Sequence, residues 1–343
     1  MKRALGIGLL GFGGVNRALA ELIQQHQANQ SPMDLKIVGV SDIYLGYALD
    51  PDGLDLDALV QISCERGALS VLGDPEPNND AVIRSAGCDI VAEATFSNME
   101  DGEPGISICS AAISQAKHVT TTNKGSVAYG AQVLSTLAKE NNVCFEYEGS
   151  VMSGTPVLGW ARNCFPGVRI EEVEGILNGT TNYILGRMEQ GLEFDQALEE
   201  AQANGFAEAD PTSDIEGYDV RAKVMILAQA LFGAQLQKSD ITCQGISSVT
   251  ASQIERASAQ KERWKLVARI ENSGEKIIAE VAPKRVSEGD PLYGINGTTN
   301  ALSVKAGPLG SAMVCGPGAG RLETAYALYA DILKIAKQIE SKR

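Results

Sequence analysis

Over the first 150 residues, short apolar runs of strand length alternate with segments whose apolar positions recur at helical spacing. ALGIGLLGF (4–12) reads as a strand, and 15–27 as a helix with Leu19, Leu22 and Ile23 on its inner face. LKIVGVSD (35–42) and CDIVAEAT (88–95) read as buried strands, the second followed by a helix over ISICSAAISQA (106–116). HVTTTN (118–123) and VCFEYEG (143–149) are further strands, with a helix over 126–140 between them. Strand–helix alternation of this length predicts an α/β fold, a Rossmann-like doubly wound parallel sheet. The opening MKRALGIGLLGFGG places two basic residues before an apolar run, as a signal peptide does. Its frequent glycines and the lack of a small-residue cleavage site favour a first strand instead.

Beyond residue 150 the pattern changes. Helical spacing dominates 180–190, 193–204 and 218–232, whereas 263–271 and 276–283 alternate as antiparallel strands do. These features predict an α+β second domain over 151–304. A turn at GPGAG (316–320) precedes a long amphipathic helix over 322–339, and 305–343 is expected to return to the first domain, 1–150. The pentapeptide NGTTN occurs at 178–182 and again at 296–300, but the flanks share little, so these are two similar turns and not a duplicated unit.

A length of 343 residues suits two domains. The net charge of −14 repels nucleic acid and anionic membranes, and no apolar stretch approaches the ~20 residues of a membrane span. Seven dispersed cysteines without a CxxC pair fit reduced, mostly buried thiols in a cytoplasmic protein. Only two histidines occur. His26, among Gln and Asn at a helix end, reads as solvated, and His118 as a lone residue before a strand. A multi-histidine zinc site and a Ser-His-Asp triad are therefore set aside, and proton chemistry falls to Lys, Asp, Glu, Tyr or Cys.

Two segments carry candidate chemistry. Gly11-Phe12-Gly13-Gly14-Val15-Asn16 follows the first strand and opens a helix, the GxGxxG context in which a backbone approaches a pyrophosphate, although Asn16 replaces the third glycine. Asp42 ends the second strand, where a carboxylate accepts ribose hydroxyls and leans toward NAD over NADP; a turn-forming Asp is the plainer alternative. In AQANGFAEADPTSDIEGYDVRAK (201–223), Glu208, Asp210, Asp214, Glu216 and Asp219 precede Lys223. A calcium loop is excluded, since aligning Gly217 with the invariant EF-hand glycine puts Lys223 where the bidentate Glu belongs. Asp219 and Lys223 share a helix face; exposed, such a pair contributes only ~0.3–0.5 kcal/mol, but in a cleft it binds an amino acid and moves a proton.

The 201–223 segment resembles the signature of homoserine dehydrogenases: Ala201, Gly205, an aromatic, a small residue, Asp210-Pro211, Asp214, Gly217, Asp219 and Lys223 stand at that family's spacing. Further blocks are similar and in family order: the glycine loop, EAT at 93–95, TTTNKG at 120–125, EGSVMSGTPV at 148–157, GILNGTTNYIL at 175–185 and GPGAG. The resemblance spans the chain and implies NAD(P)-dependent interconversion of L-aspartate 4-semialdehyde and L-homoserine. The first domain would then bind the dinucleotide, and the second would bind substrate and form a homodimer. With the chain ending at Arg343, no regulatory ACT domain is expected.

Residue by residue, the resemblance implies Lys223 as proton donor to the carbonyl oxygen and Lys124, in the NKG turn, as a second catalytic lysine beside the nicotinamide. Glu208 and Asp219 would anchor the substrate ammonium and orient Lys223, with Asp214 in support and Thr180 meeting the substrate at a helix N-terminus. Gly11, Phe12, Gly13, Gly14, Val15, Asp42, Thr95, Lys124 and Gly320 would line the cofactor. Glu148 with the carbonyls of Val151, Ser153 and Thr155 matches a sodium site of the family. The chemistry is sound independently: an ammonium stabilises the charge that hydride transfer builds on an aldehyde oxygen, and burial or a neighbouring cation makes a lysine a readier donor. Phe206 stands where the family usually has Tyr, so a hydroxyl contact is missing. A dehydrogenase of another small amino or hydroxy acid stays open as an alternative. So does a non-catalytic nucleotide-binding protein, although such a protein has no need of both lysines.

Overall fold

The computed structural model describes residues 4–28 and 33–341, and the chain forms two compact units. One comprises the residues up to Gly154 together with those from Gly320; the other is Thr155–Ala319. In the first unit the order is β1 (Leu5–Leu10), α1 (Gly14–Ala28), β2 (Leu35–Asp42), β3 (Gly46–Leu49), α2 (Leu56–Val60), α3 (Asn79–Arg84), β4 (Ile90–Glu93), α4 (Gly105–Ser114), β5 (His118–Thr121), α5 (Lys124–Glu140) and β6 (Phe145–Glu146). The sheet runs β3-β2-β1-β4-β5-β6, parallel except for β3 against β2. Every residue of β1 is buried, as a central strand covered on both faces requires. Strand order reverses between β1 and β4, the switch point at which doubly wound sheets bind ligands beyond their carboxyl ends.

The second unit holds α6 (Val157–Asn163), β7 (Ile170–Ile176), α7 (Gly179–Glu189), α8 (Phe194–Ala203), α9 (Thr212–Ile215), α10 (Tyr218–Phe232), β8 (Ile241–Cys243), α11 (Ala251–Ser258), β9 (Glu262–Asn272), β10 (Ile277–Ser287), β11 (Thr299–Ala306) and β12 (Gly310–Pro317). Its sheet, β12-β11-β7-β9-β10-β8, is antiparallel except for β8 beside β10. Residues 305–317, expected to return to the first unit, instead complete this sheet, because β11 and β12 form a continuous antiparallel ladder from Thr299↔Pro317 to Ala306↔Gly310. The glycines and proline of β12 obscure its alternation in the sequence. Helix α10 is buried around most of its circumference and is bracketed by left-handed glycines, Gly217 at φ 77° and Gly233 at φ 66°.

Helix α12 (Arg321–Ser341) returns to the first unit, where Ala325, Leu328, Ile332 and Ile335 join the core formed with α1 and one face of the sheet. The opposite face carries a second core, built with Val82 and Ile83 of α3, Cys109 and Ile113 of α4 and Leu134 of α5. Two expectations are corrected here. The strand over 143–149 shrinks to β6, since Glu148–Ser150 forms a 3-10 turn whose first N–H donates to buried Asp331 Oδ2 of α12 at 3.1 Å. His26 is not solvated: its ring bonds the Met33 carbonyl at 2.9 Å and the Tyr329 hydroxyl, fastening α1 to α12. His118 accepts the Cys144 N–H at 3.0 Å, a structural role. All seven cysteines are free thiols, with Cys64, Cys164 and Cys315 exposed. Among the described residues no helix is long and apolar enough to cross a membrane.

The two NGTTN segments adopt different structures. The first opens α7; the second runs into β11, and a Cβ on Gly179 would lie 2.7 Å from the Thr298 carbonyl, so the turns lie against one another. Asn182 Nδ2 donates to the carbonyl of Gly297 at 2.9 Å, and its Oδ1 accepts from Lys265 Nζ at 2.9 Å. Lys265, only 1% exposed, also donates to the Ile295 carbonyl at 2.6 Å. Burial pushes its amine down from 10.5 to about 8, against the opposing pull of Glu189. Between those two values the unfolded chain binds more protons than the folded one, so this group's contribution to stability rises with pH across that window. The stability of the parent protein minus that of Lys265→Met should therefore increase between urea melts run at about pH 7.5 and about pH 9.5; a constant difference would show that the buried amine does not titrate there.

Candidate active site

In the first unit, polar side chains tie together the carboxyl ends of the parallel strands. Gly11, at φ 75°, brings the end of β1 so close to β4 that a Cβ would lie 2.6 Å from the Ala94 carbonyl. Asn16, in the first turn of α1 and fully buried, donates to the carbonyls of Leu10 at 3.2 Å, Gly11 at 2.6 Å and Ala92 at 3.2 Å. The side chain that replaces the third glycine thus stitches helix and strands together, where glycine only lets them approach. Asp42 is both turn former and loop anchor: Oδ1 accepts the N–H groups of Tyr44 and Leu45, and Oδ2 that of Phe12 at 2.7 Å. Phe12, expected beside the cofactor, is held by the protein itself. Its ring is buried beneath the Arg17 guanidinium, 4.8 Å from the centroid, and its N–H belongs to Asp42. Val15 packs against the core. Gly13 and Gly14 remain exposed at the start of α1, a Cβ on Gly13 would meet nothing, and glycine supplies no side-chain cap, so this helix end suits a phosphate.

At the ends of β4 and β5, the buried carboxylate of Glu93 accepts the Thr95 N–H at 2.9 Å, the Thr95 and Thr121 hydroxyls, and Asn123 Nδ2 at 3.3 Å. Asn123 caps α5 by accepting the Ser126 N–H, and Gly125 donates to Ser97 Oγ at 2.9 Å. Lys124 is hence the first residue of a rigidly capped helix and not part of a turn. Glu93 was legible in sequence only as the first letter of the EAT block; its role as the organiser of Thr95, Thr121 and Asn123 needs the strand pairing Glu93↔Thr121.

The second unit gathers the acid–base groups. Lys223 and Asp219, one turn apart on α10 and both buried, form an ion pair at 2.6 Å, and Lys223 Nζ also donates to the Leu177 carbonyl at 2.6 Å. Asn178 Nδ2 donates to Asp219 Oδ2 at 3.0 Å and Asp214 Oδ1 at 2.7 Å. Thr180, in the first turn of α7, donates its hydroxyl to the Phe206 carbonyl at 2.6 Å. The Phe206 ring meets Tyr183 edge-on, with centroids 5.0 Å apart, and the Tyr183 hydroxyl donates to Glu200. Asp214, Asp219, Lys223 and Thr180 are thus brought together by Asn178 and α7. Glu208 is not: its side chain is exposed and makes no hydrogen bond or ion pair among the described residues, while its carbonyl accepts from Gln202. Asn178 escaped sequence reasoning because the NGTTN repeat reads as a turn.

Glu148, Val151 and Ser153 lie on one turn of the first unit, with Met152 and Ser153 both left-handed at φ 56° and 53°. Two adjacent left-handed non-glycine residues cost of order 1 kcal/mol each, which fits a turn shaped for its carbonyls. Thr155, the first residue of the second unit, donates its hydroxyl to the Pro317 carbonyl, leaving its own carbonyl for the Val157 N–H. One carboxylate among carbonyls suits a weakly held hard cation; no cluster of three or more His, Cys, Asp or Glu occurs among the described residues. Gly320, at φ 128°, precedes α12, and its carbonyl accepts from Thr324.

A reversed parallel order with a glycine loop at its switch point, joined to an α+β unit bearing a buried Lys–Asp pair, defines a dinucleotide-dependent oxidoreductase. The homoserine dehydrogenase family model matches residues 156–333. An NAD(+)-dependent homoserine dehydrogenase of Pseudomonas canavaninivorans is 48% identical, across 98% of this chain and 97% of that protein. A homoserine dehydrogenase of Methanocaldococcus jannaschii is 34% identical across 96% of this chain and 98% of its own. The crystal structure of a homoserine dehydrogenase from Thiobacillus denitrificans superposes with a TM-score of 0.85 at 29% identity, covering 99% of this chain and 74% of that one. A hyperthermophilic archaeal homoserine dehydrogenase in complex with NADPH gives 0.84 at 28% identity, covering 98% of each. The chain belongs to the homoserine dehydrogenase family.

The stitching role of Asn16 is testable against the family's own alternative. Asn16→Gly restores the third glycine but removes the donor to three carbonyls; offset by the buried Oδ1, which has no partner among the described residues, the loss should be about 1–2 kcal/mol. A urea midpoint for this variant equal to or above the parent's would refute the role.

Proposed function

We propose that this chain interconverts L-homoserine and L-aspartate 4-semialdehyde, with Lys223 as the proton donor to the aldehyde oxygen and as the base in the reverse direction. The observation that carries the reading is the buried Lys223–Asp219 pair. The Lys223 ammonium donates to the Leu177 carbonyl and to Asp219, which fix its position and its charge. A positive charge held in a low-dielectric site stabilises a developing alkoxide and then completes the alcohol. The nicotinamide, when bound, supplies the redox step. Lys124, fixed at the start of α5, is the second catalytic lysine. Thr180, Asp214, Asp219 and the exposed Glu208 bind the amino-acid end of the substrate, with carboxylates answering its ammonium.

Gly13 and Gly14 at the start of α1 hold the pyrophosphate, with Gly11, Val15, Thr95 and Gly320 around the cofactor. Asp42 selects NAD: its carboxylate stays at the end of β2, fixed by three main-chain N–H groups, and repels a 2′-phosphate. The next residue, Ile43, is 90% exposed and offers that phosphate no cation, while Arg17 is committed to the carbonyls of Phe12, Ile62 and Ser63. The NAD(+) dependence of the 48% identical relative supports the same preference. Glu148 and the carbonyls of Val151, Ser153 and Thr155 bind sodium in a structural role. Seven free thiols fit a reducing compartment, and we place the enzyme in the cytoplasm as a homodimer serving threonine and methionine biosynthesis.

Lys223→Ala should lower kcat by a factor of ~10² or more while leaving NAD affinity intact, as followed by homoserine-dependent NADH formation and fluorescence titration; near-normal kcat would sink the assignment. In the same assay kcat/KM with NAD should at least equal that with NADP, and a preference for NADP of about tenfold would show that residues other than Asp42 choose the cofactor.

A further inference from the structure

Asn178 follows β7, caps α7 and is 5% exposed. Its amide makes four hydrogen bonds. The oxygen accepts the Thr181 N–H at 2.9 Å and the Thr181 hydroxyl at 3.0 Å, while the nitrogen donates to Asp214 at 2.7 Å and Asp219 at 3.0 Å. Capping a helix requires the oxygen alone, and Ser, Thr or Asp would serve as well. Of the preferred capping side chains, only Asn accepts at the helix while donating two hydrogens elsewhere. Those two hydrogens go to carboxylates, and one of them reaches the same Asp219 oxygen that holds Lys223. A carboxylate oxygen already receiving a second donor attracts the ammonium less strongly, so the lysine gives up its proton more readily.

We propose that Asn178 is a positioning residue for proton transfer: it holds Asp219 turned toward Lys223, draws charge from that carboxylate, and so sets the pH at which Lys223 exchanges its proton. The proposal rests on Lys223 being the proton donor. Around Lys223, Asp219 is on its own helix and Asp214 is reached through Asn178, whereas Glu208 lies exposed on the preceding loop. On the strands packed against α10, Lys265 bonds Asn182, Lys284 pairs with Glu280, and Arg269 pairs with Glu172 and Glu271. On α6, Arg162 is exposed; on the short turn after α10, the Asp240 carboxylate accepts the Gln237 N–H. The carboxylate oxygen that bonds the ammonium, Asp219 Oδ2, is the one that Asn178 shares.

Two substitutions separate capping from charge control. Asn178→Ser keeps a cap oxygen and loses the double donation; Asn178→Asp keeps the cap and places a third carboxylate beside the other two. The experiment is the pH dependence of kcat for homoserine oxidation by each full-length variant, with NAD affinity measured by fluorescence. Oxidation needs the unprotonated lysine, so its rate rises with pH, and a tighter hold on the proton moves that rise to higher pH. The rise should move up by about half a unit in the Ser variant and by about one unit or more in the Asp variant, with NAD affinity unchanged within about twofold. A rise that stays at the parent's pH in both variants overturns the proposal, even if kcat falls, since loosened structure alone lowers rate without moving the limb. If the Asp variant does not fold, the Ser variant decides. If neither folds, a cap oxygen is insufficient at this position, the residue is structural, and the proposal is equally overturned. Normal kcat in Lys223→Ala would instead remove the proton-donor reading beneath it, so the two failures are distinguishable.

Discussion

An ion pair almost wholly removed from water is tolerable only if every remaining valence of both partners is answered, because desolvation of each ion costs several kcal/mol that their mutual attraction repays only in good geometry. The pair of Lys223 and Asp219 is held by the Leu177 carbonyl on one side and the Asn178 amide on the other. Each of those groups is fixed by something larger. Leu177 and Asn178 are set by the junction from β7 into α7, and Asn178 is locked by the helix it caps. The lysine sits on α10, whose apolar surroundings hold it still. Much of the second unit's architecture can be understood as the support that one buried charge pair demands.

The first unit solves the same kind of problem at strand ends. Parallel strands that stop at a switch point leave main-chain groups unpaired, and buried groups of that kind must find partners. Asn16 answers carbonyls of β1 and β4, Asp42 answers N–H groups of the glycine loop and of the turn after β2, and Glu93 answers the hydroxyls and amides after β4 and β5. With those demands met by side chains, the start of α1 at Gly13 and Gly14 stays exposed toward solvent, which is what anion binding by a helix end requires. The polar residues of this unit thus hold the strand ends in shape and leave the glycines at the start of α1 exposed.

That division explains which parts were legible in the sequence. Strand–helix alternation, the glycine loop and the 201–223 segment are local patterns, and β1, β2, α5, α7, α8, α10 and α12 fall where periodicity puts them, within a few residues. The strands β11 and β12 were not legible, because Gly and Pro stand at the ends of β12 and the stability of both strands comes from pairing, β11 with β12 and with β7. The site divides in the same way. Asp219 and Lys223 are four apart on one helix, so spacing reveals their partnership. Asn178 joins them from 41 and 36 residues away from its two carboxylates, and Glu93 binds Thr121 across 28, so only strand pairing and helix packing bring them in. Phe12 shows the complementary limit: a motif position names a residue but not which of its groups the fold has already used, here the ring and the N–H.

The exposed residues of the second unit complete the picture. Glu208 and Phe206 lie on the loop between α8 and α9, with Phe206 held by Thr180 at its carbonyl, by the Ala201 carbonyl at its N–H and by Tyr183 at its ring edge. A proton donor must keep one geometry and one electrostatic environment, and burial with complete hydrogen bonding enforces both. Substrate recognition tolerates more variation, since a lost hydroxyl at residue 206 changes a contact without disturbing Asp219 or Asn178. Tyr183 cannot replace that hydroxyl, because its own is committed to Glu200. The departure at Phe206 therefore falls on an exposed loop, while Asp219, Asn178 and Lys223 are those the fold leaves least free to change.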